Sequence, residues 1–423
     1  MATTLPLPAV KASPKDRAIL RRLAGRVREI AELPEQAERK RRLAAHNALR
    51  PERPLILCYP EGAWEEILPP GSMECEDPQL RNWERGLRMK VYWWEHLRDD
   101  NAIEPYFNVN WRVTHGNYGV EIPYEHGTDR GSYHWTPPLE DIESGFSQLK
   151  PPVHAVDREG TVADVEIATD LFGDLLPARI RGKYWWTSGL TSEAIKLIGL
   201  ETLMLAPYDQ PDGLNHLMGW LRDRHLAFLG WLETEGLLSL DNEDDYTGSG
   251  GSAYTDQLPQ KDWKPGMPVR LCDTWGFAES QETVGVSPEM FAEFILPYQL
   301  PILEKFGLNC YGCCEPIHQR LEYVLKVPRV RRISVSPWAE QEAVAARLGR
   351  NYIFSRKPSP AQICVAFNEE LVRQDLAHTL EIAGGGVLEI IMKDTHTIQH
   401  EPWRLTRWIE IAYEEVRKYA ERC

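Results

Sequence analysis

No apolar run in these 423 residues reaches the length that a membrane-spanning helix requires, and no secretory leader pattern is visible at the start of the chain. Cysteine is sparse: eight residues in so long a chain exclude a disulfide scaffold, and their clustering at 310, 313 and 314 suits reduced thiols. Basic side chains are outnumbered, 48 against 63 acidic, giving a formal charge of -15. That balance argues against nucleic acid or an anionic membrane surface as the main partner. The Gly/Ser-rich stretch Tyr246-Thr247-Gly248-Ser249-Gly250-Gly251-Ser252 has neither the lysine nor the spacing of a phosphate loop. The expectation is a cytoplasmic protein that handles a small molecule.

Tryptophan, by contrast, is plentiful. Fifteen of them supply a core and leave aromatic walls for a pocket that could hold a flat or cationic ligand. Apolar and helical patterns alternate along the chain. Residues 15 to 47 read as a charged amphipathic helix, Leu55-Ile56-Leu57-Cys58 as a buried strand, and 78 to 99 as a long helix. Strand-like runs follow at 106 to 111, 181 to 186, 202 to 205, 237 to 240, 269 to 272, 308 to 311, 333 to 336, 352 to 355 and 387 to 392, with helices between most of them. This rhythm predicts a (β/α)8 TIM barrel over residues 51 to 423, preceded by a tail and helical extension over 1 to 50. The Gly-, Pro-, Tyr- and His-rich segment 116 to 156 lacks periodicity and reads as a hairpin or lid over the barrel mouth.

Polar residues gather where these strands end, which on such a barrel is the active face. The densest stretch is Leu308 to His318, with three cysteines in five positions followed by Glu315. Other clusters are Asn242 and Glu243 after the strand at 237 to 240, Asp273 and Trp275 after 269 to 272, and Lys393, Asp394 and His396 after the last strand.

The second half resembles the uroporphyrinogen decarboxylase superfamily, which also contains cobalamin-dependent methyltransferases. The likeness is carried by Asp273-Thr274-Trp275-Gly276, then Ser287-Pro288-Glu289-Met290-Phe291 and Phe294-Ile295-Leu296-Pro297-Tyr298, and spans roughly residues 271 to 400. It extends through Ile333 to Trp338 and into the turn Ser355-Arg356-Lys357-Pro358-Ser359-Pro360. The porphyrinogen decarboxylases' Arg-Gln-Ala-Gly-Arg loop has only Ala24-Gly25-Arg26 as its nearest string, inside a charged helix. The methyltransferase branch carries a His-x-Cys-Gly-Asp/Asn motif where this chain has Tyr311-Gly312-Cys313-Cys314-Glu315. Cys313 matches the family's cysteine, Tyr311 replaces its histidine, and His396 falls near a second family cysteine. The resemblance thus implies zinc on Cys313, His396 and either Cys314 or Glu315, with one position open for substrate.

The leading expectation is a methyltransferase that moves a methyl group between a small methoxy, methylamine or thiol substrate and a corrinoid carried by a separate protein. Zinc or a protonating group would activate the substrate. Glu243, Asp273, Glu279 and His115 are the candidates for proton handling. Trp111, Trp185, Trp186 and Trp275 are the candidate walls for a methylated cation, with Asn242 and Tyr311 as further substrate contacts. The alternative is a metal-independent decarboxylase or lyase, in which Arg112, Arg356 and Lys393 hold a substrate carboxylate and Asp273 or Asp394 moves a proton. A third reading is a barrel that binds without catalysing, suggested by Tyr311 in place of the motif histidine. Pairing into a homodimer is left open by the resemblance.

Overall fold

The computed structural model describes residues 11–127 and 133–422. Eight strands run in parallel pairings, and we number them in chain order: β1 Leu55–Cys58, β2 Phe107–Val109, β3 Ala178–Ile180, β4 Trp275–Ala278, β5 Leu308–Tyr311, β6 Val330–Val335, β7 Ile353–Arg356 and β8 Val387–Met392. Six form one parallel sheet in the order β1-β8-β7-β6-β5-β4, and β2 pairs with β3 in a sheet of its own. The architecture is therefore α/β with a six-stranded parallel sheet. No ladder among the described residues joins the two sheets into the closed eight-stranded ring that the sequence suggests.

Strand alternation separates two faces. Ile56, Cys58, Ala278, Tyr311, Ile333, Val335, Phe354, Leu388, Ile390 and Met392 join the large core with Leu376 and Leu380 of helix Glu369–Ala383 and Trp408 and Ala412 of helix Trp403–Ala420. The opposite face carries Leu55, Leu57, Phe277, Cys310, Arg332, Ser334, Ser355, Glu389 and Ile391. The hairpin of Tyr246–Thr247 with Gly251–Ser252 packs over that inner face, with Gly248 against Cys310 and Gly251 against Arg332. It can enter because Gly251 has no side chain: a Cβ there would fall 2.4 Å from the guanidinium carbon of Arg332.

Both flanks of the six-stranded sheet end on carboxylates. The β1 amides of Ile56 and Cys58 donate to Asp100 Oδ2 (2.9 Å) and Asp99 Oδ2 (2.7 Å). At the other flank the Trp275 amide of β4 donates to both Asp241 oxygens (3.0 and 3.2 Å), while the Phe277 carbonyl accepts from the Ser188 amide (2.8 Å). These side chains occupy the groups that neighbouring strands would otherwise pair.

Several expectations are corrected. Residues 202 to 205 belong to the helix Leu200–Asp209, because Leu, Met, Ala and Glu favour helix over strand. Residues 15 to 47 form two helices, Pro14–Ala31 and Pro34–Asn47, since Pro34 cannot continue the first. No strand forms at 237 to 240. The stretch 269 to 272 leads into a short 3-10 turn, Leu271–Asp273, and the strand begins only at Trp275. That shift puts Asp273 at the opposite end of the strand from the one expected. Segment 116 to 156 contains the antiparallel pair Tyr124–His126 with Tyr133–Trp135, and Arg112–His115 pairs with His154–Asp157 at its base. Residues 128–132 of that excursion lie outside the described residues.

Asp100 also receives Arg53, and its side chain is only 3% exposed. Asp100→Ala leaves a buried amide and an arginine without their acceptor. The expected loss is about 3 kcal/mol of unfolding free energy, measured by urea titration. A change below roughly 0.5 kcal/mol would show that this flank does not depend on the carboxylate.

Candidate active site at the strand ends

The carboxyl ends of β8, β5 and β1 converge. Lys393 follows β8 and is almost wholly buried; its Nζ donates to Asp394 Oδ1 at 2.6 Å and lies 3.8 Å from Glu61 Oε1. Burial works against its charge, but Glu61 and Asp394 outweigh that and hold the ammonium above its ordinary value. Glu61 stands just beyond β1, accepts the Asp394 amide at 2.8 Å and lies 3.5 Å from the hydroxyl of Tyr246. Burial raises the Glu61 carboxyl, with Lys393 opposing.

Beyond β5 the chain turns through Gly312 and presents two adjacent thiols, Cys313 Sγ and Cys314 Sγ, 3.6 Å apart. Cys313 is buried, its sulfur accepts from Ser249 Oγ at 3.2 Å and its amide donates to Glu315 Oε2 at 2.8 Å. Cys314 is exposed. The shared proton and burial push Cys313 well up, while the same contact and nearby Lys393 bring Cys314 down. Cys314 is thus the first of the pair to ionise.

A buried acid group adjoins the thiols. Glu279, just past β4, has no exposed surface, and its Oε1 has no hydrogen-bond partner. Burial, reinforced by Glu282, Glu315 and Cys313, raises its carboxyl well above the usual range. Its surroundings therefore favour the protonated form. Gly189 makes this packing possible, since a Cβ there would lie 2.6 Å from Glu279 Oε1. Glu315 is also raised by burial, but its oxygens accept the amides of Cys313 and Ser280, so it serves as a fixed partner.

Below the thiols, on the inner face, lies Lys357. It is fully buried, its Nζ donates to the Ser355 carbonyl at 3.2 Å and to the Ser355 hydroxyl, and burial pulls its amine down to about 7 despite Glu389. The family-like turn after β7 contains this lysine, but nothing in its composition marks it as buried. Glu61 stands out in the sequence only by following the strand Leu55–Cys58, and Ser249 only by lying in the Gly/Ser-rich stretch.

The segment that carries Gly189 also lines a cavity of about 610 Å³, with His115, Tyr118, Trp185, Trp186, Glu193 and Phe228 among its walls. The His115 ring lies 4.5 Å from that of His154 in a tilted contact, and burial lowers its imidazole, which favours the neutral form. Trp185 Nε1 is buried there without a partner.

Other expected site residues are engaged elsewhere. Asp273 accepts from Arg270 and the Gln260 amide. Glu243 pairs with Arg179, and Asn242 donates to the Leu258 carbonyl. Arg112 forms a two-point bond with Asp164, and Arg356 points outward to Asp375 and backbone carbonyls. Trp275 lies on the inner face, 5.4 Å from the Arg332 guanidinium, and Arg158 covers Trp111 at 5.3 Å. Tyr311 is buried outside, donating to Gln299 Oε1 at 2.7 Å. Among the described residues no three His, Cys, Asp or Glu side chains converge as metal ligands would. The set Cys313, Cys314, Glu315 and His396 is therefore not gathered: Glu315 is held by amides, and the His396 backbone turns back on Asp394.

Lys357 gives a testable pH dependence. Its folded value is depressed, so the unfolded chain binds the extra proton between about pH 7 and the ordinary lysine range near 10.4. Stability from this group therefore rises with pH across that window and is lost as pH falls through about 7. Lys357→Met should flatten the rise between pH values of about 7 and about 9 in urea titrations. An unchanged slope would mean that the amine is not depressed.

No family model and no curated protein matches the sequence. Among solved structures the chain is similar to a methyltransferase from Methanosarcina mazei, with a TM-score of 0.52 and 12% identity, over 89% of this chain and 98% of that one. The two share a fold.

Proposed function

We infer that the protein is a methyltransferase of uroporphyrinogen decarboxylase-like (β/α)8 architecture. In this reading it moves a methyl group between a small methoxy, methylamine or thiol substrate and a partner-borne corrinoid. The carrying observation is Glu279, a buried carboxyl with one unpaired oxygen at the carboxyl end of a parallel strand, where burial and neighbouring acids favour its protonated form. The likeness of fold to a methyltransferase supports the reaction class, and the β2–β3 pair beside the six-stranded sheet supports the barrel.

Each group has a task in this reading. Glu279 gives its proton to the oxygen or nitrogen from which the methyl departs, so the leaving group departs neutral. Glu282 and Glu315 keep that proton on Glu279 until it is needed. The cavity lined by His115, Trp185 and Trp186 admits the substrate and presents aromatic faces to a methylated centre. A bound corrinoid supplies the methyl acceptor or donor. The exposed ring of Trp338, directly beyond β6, and that of Tyr246 beside Glu61 suit docking of such a partner. No group of three His, Cys, Asp or Glu side chains is gathered as ligands among the described residues, and in this reading acid activation serves in place of zinc.

One observation favours a decarboxylase as the second reading. Lys357 and Lys393 lie close enough to influence each other, a cationic corner suited to a carboxylate. Arg112 and Arg356, however, are committed to Asp164 and Asp375.

The test is methyl transfer from a panel of methoxy, methylamine and thiol compounds to a corrinoid protein, followed by cobalt absorbance. Glu279→Gln should lower the rate by about 10²–10⁴-fold while substrate binding changes little. The wild-type rate should fall in alkali as the carboxyl deprotonates, because the acid form is the active one. Full activity in Glu279→Gln would remove Glu279 as the acid. Carbon dioxide release without methyl transfer would establish the decarboxylase.

A further inference from the structure

We propose that Cys313 and Cys314 form a redox-active vicinal dithiol, a modification site at which a hydroperoxide closes the two thiols into a disulfide. This inference stands apart from the methyl-transfer reading, since it concerns what the thiols do with an oxidant.

The geometry supplies each requirement. The two sulfurs are 3.6 Å apart, within reach of bond formation by side-chain rotation. Their exposure is unequal in the useful sense: Cys314 faces solvent and can meet a peroxide, and Cys313 is buried beneath it as the resolving thiol. Cys313 is held on both sides, its amide by Glu315 and its carbonyl by Ser334 Oγ at 3.2 Å, which fixes it beneath Cys314. Cys58, Cys75 and Cys272 have no sulfur contact of this kind among the described residues.

The chemistry balances. Cys314 thiolate attacks one peroxide oxygen, the O–O bond breaks, and the departing oxygen takes a proton to leave as water or an alcohol. Cys314 is then a sulfenic acid. Cys313 sulfur attacks Cys314 sulfur, the S–O bond breaks, and the hydroxyl leaves as water with the Cys313 proton. The thiol pair is oxidised by two electrons and the hydroperoxide is reduced by two. Adjacent residues have Cα atoms about 3.8 Å apart across a trans peptide, closer than ordinary disulfides allow. A ring closed there is strained and easily reopened by thiols, which makes the modification reversible.

The experiment uses the full chain, reduced and then treated with hydrogen peroxide. Intact mass and a non-reducing peptide map are read before and after dithiothreitol. The expected result is loss of two hydrogens, mapped to one peptide spanning 313 and 314 and reversed by dithiothreitol. Cys313→Ser should instead accumulate a dimedone-reactive sulfenic acid at Cys314, and Cys314→Ser should stay unmodified there. Oxygen addition at Cys314 in the wild type without hydrogen loss would overturn the proposal. So would a hydrogen loss that survives both substitutions, or no change at all under excess peroxide. The wild-type mass alone decides if a variant fails to fold.

Discussion

The ion pair between Arg332 and Glu389 is the contact on which the inner face of the sheet depends. Both side chains are almost completely buried, with Arg332 Nε to Glu389 Oε1 at 2.7 Å. A buried pair of this kind gains little over an apolar replacement but is costly to break. Its value here is its connections. Arg332 also donates to Asn47 Oδ1 (2.7 Å) and to the Ser252 carbonyl (3.0 Å), and Glu389 accepts from the Ser355 hydroxyl. One charge pair thereby fastens helix Pro34–Asn47, the inner hairpin and strands β6, β7 and β8 to each other.

That arrangement passes upward to the strand ends. Ser355, bonded to Glu389, is also the partner of Lys357, so the lysine's depressed amine depends on the same buried charges. The hairpin fastened through Ser252 brings Ser249 to the Cys313 sulfur. The candidate site therefore has two different surroundings. On the inner side, charges are paired and the amines are tuned. Towards Glu279 there are too few donors, and a carboxyl keeps its proton. Opposite protonation tendencies a short distance apart are how sites divide acid and base work.

Strands β1 and β8, mostly apolar and buried on both faces, are legible in the sequence because such runs leave little ambiguity. Thr202 to Leu205 is not, since a short apolar run of helix formers reads equally well either way. The stretch before β4 shows how a small boundary error changes chemistry. Moving the strand start from Val269 to Trp275 carries Asp273 from the functional end to the far end, where it closes a loop with Arg270. Within the site, Lys393 and the two cysteines were visible because polar residues follow apolar strands, whereas the strand that places Glu279 was not expected. Lys357 and Ser249 were not, because their importance comes from burial by distant segments. Arg112, Arg356 and Glu243 looked free in sequence only because Asp164, Asp375 and Arg179 lie far away along the chain.

Asp99, Asp100 and Asp241 also bear on how this chain keeps to itself. A sheet flank with free amides is a template on which another chain can add a strand, the route to edge-to-edge aggregation. At the flanks of this sheet the amides of Ile56, Cys58 and Trp275 are already bonded to aspartate side chains. An incoming strand would have to displace a buried carboxyl group from each of these amides and leave it with fewer donors. The acidic residues that close the sheet's two sides thus act as guards against mispairing.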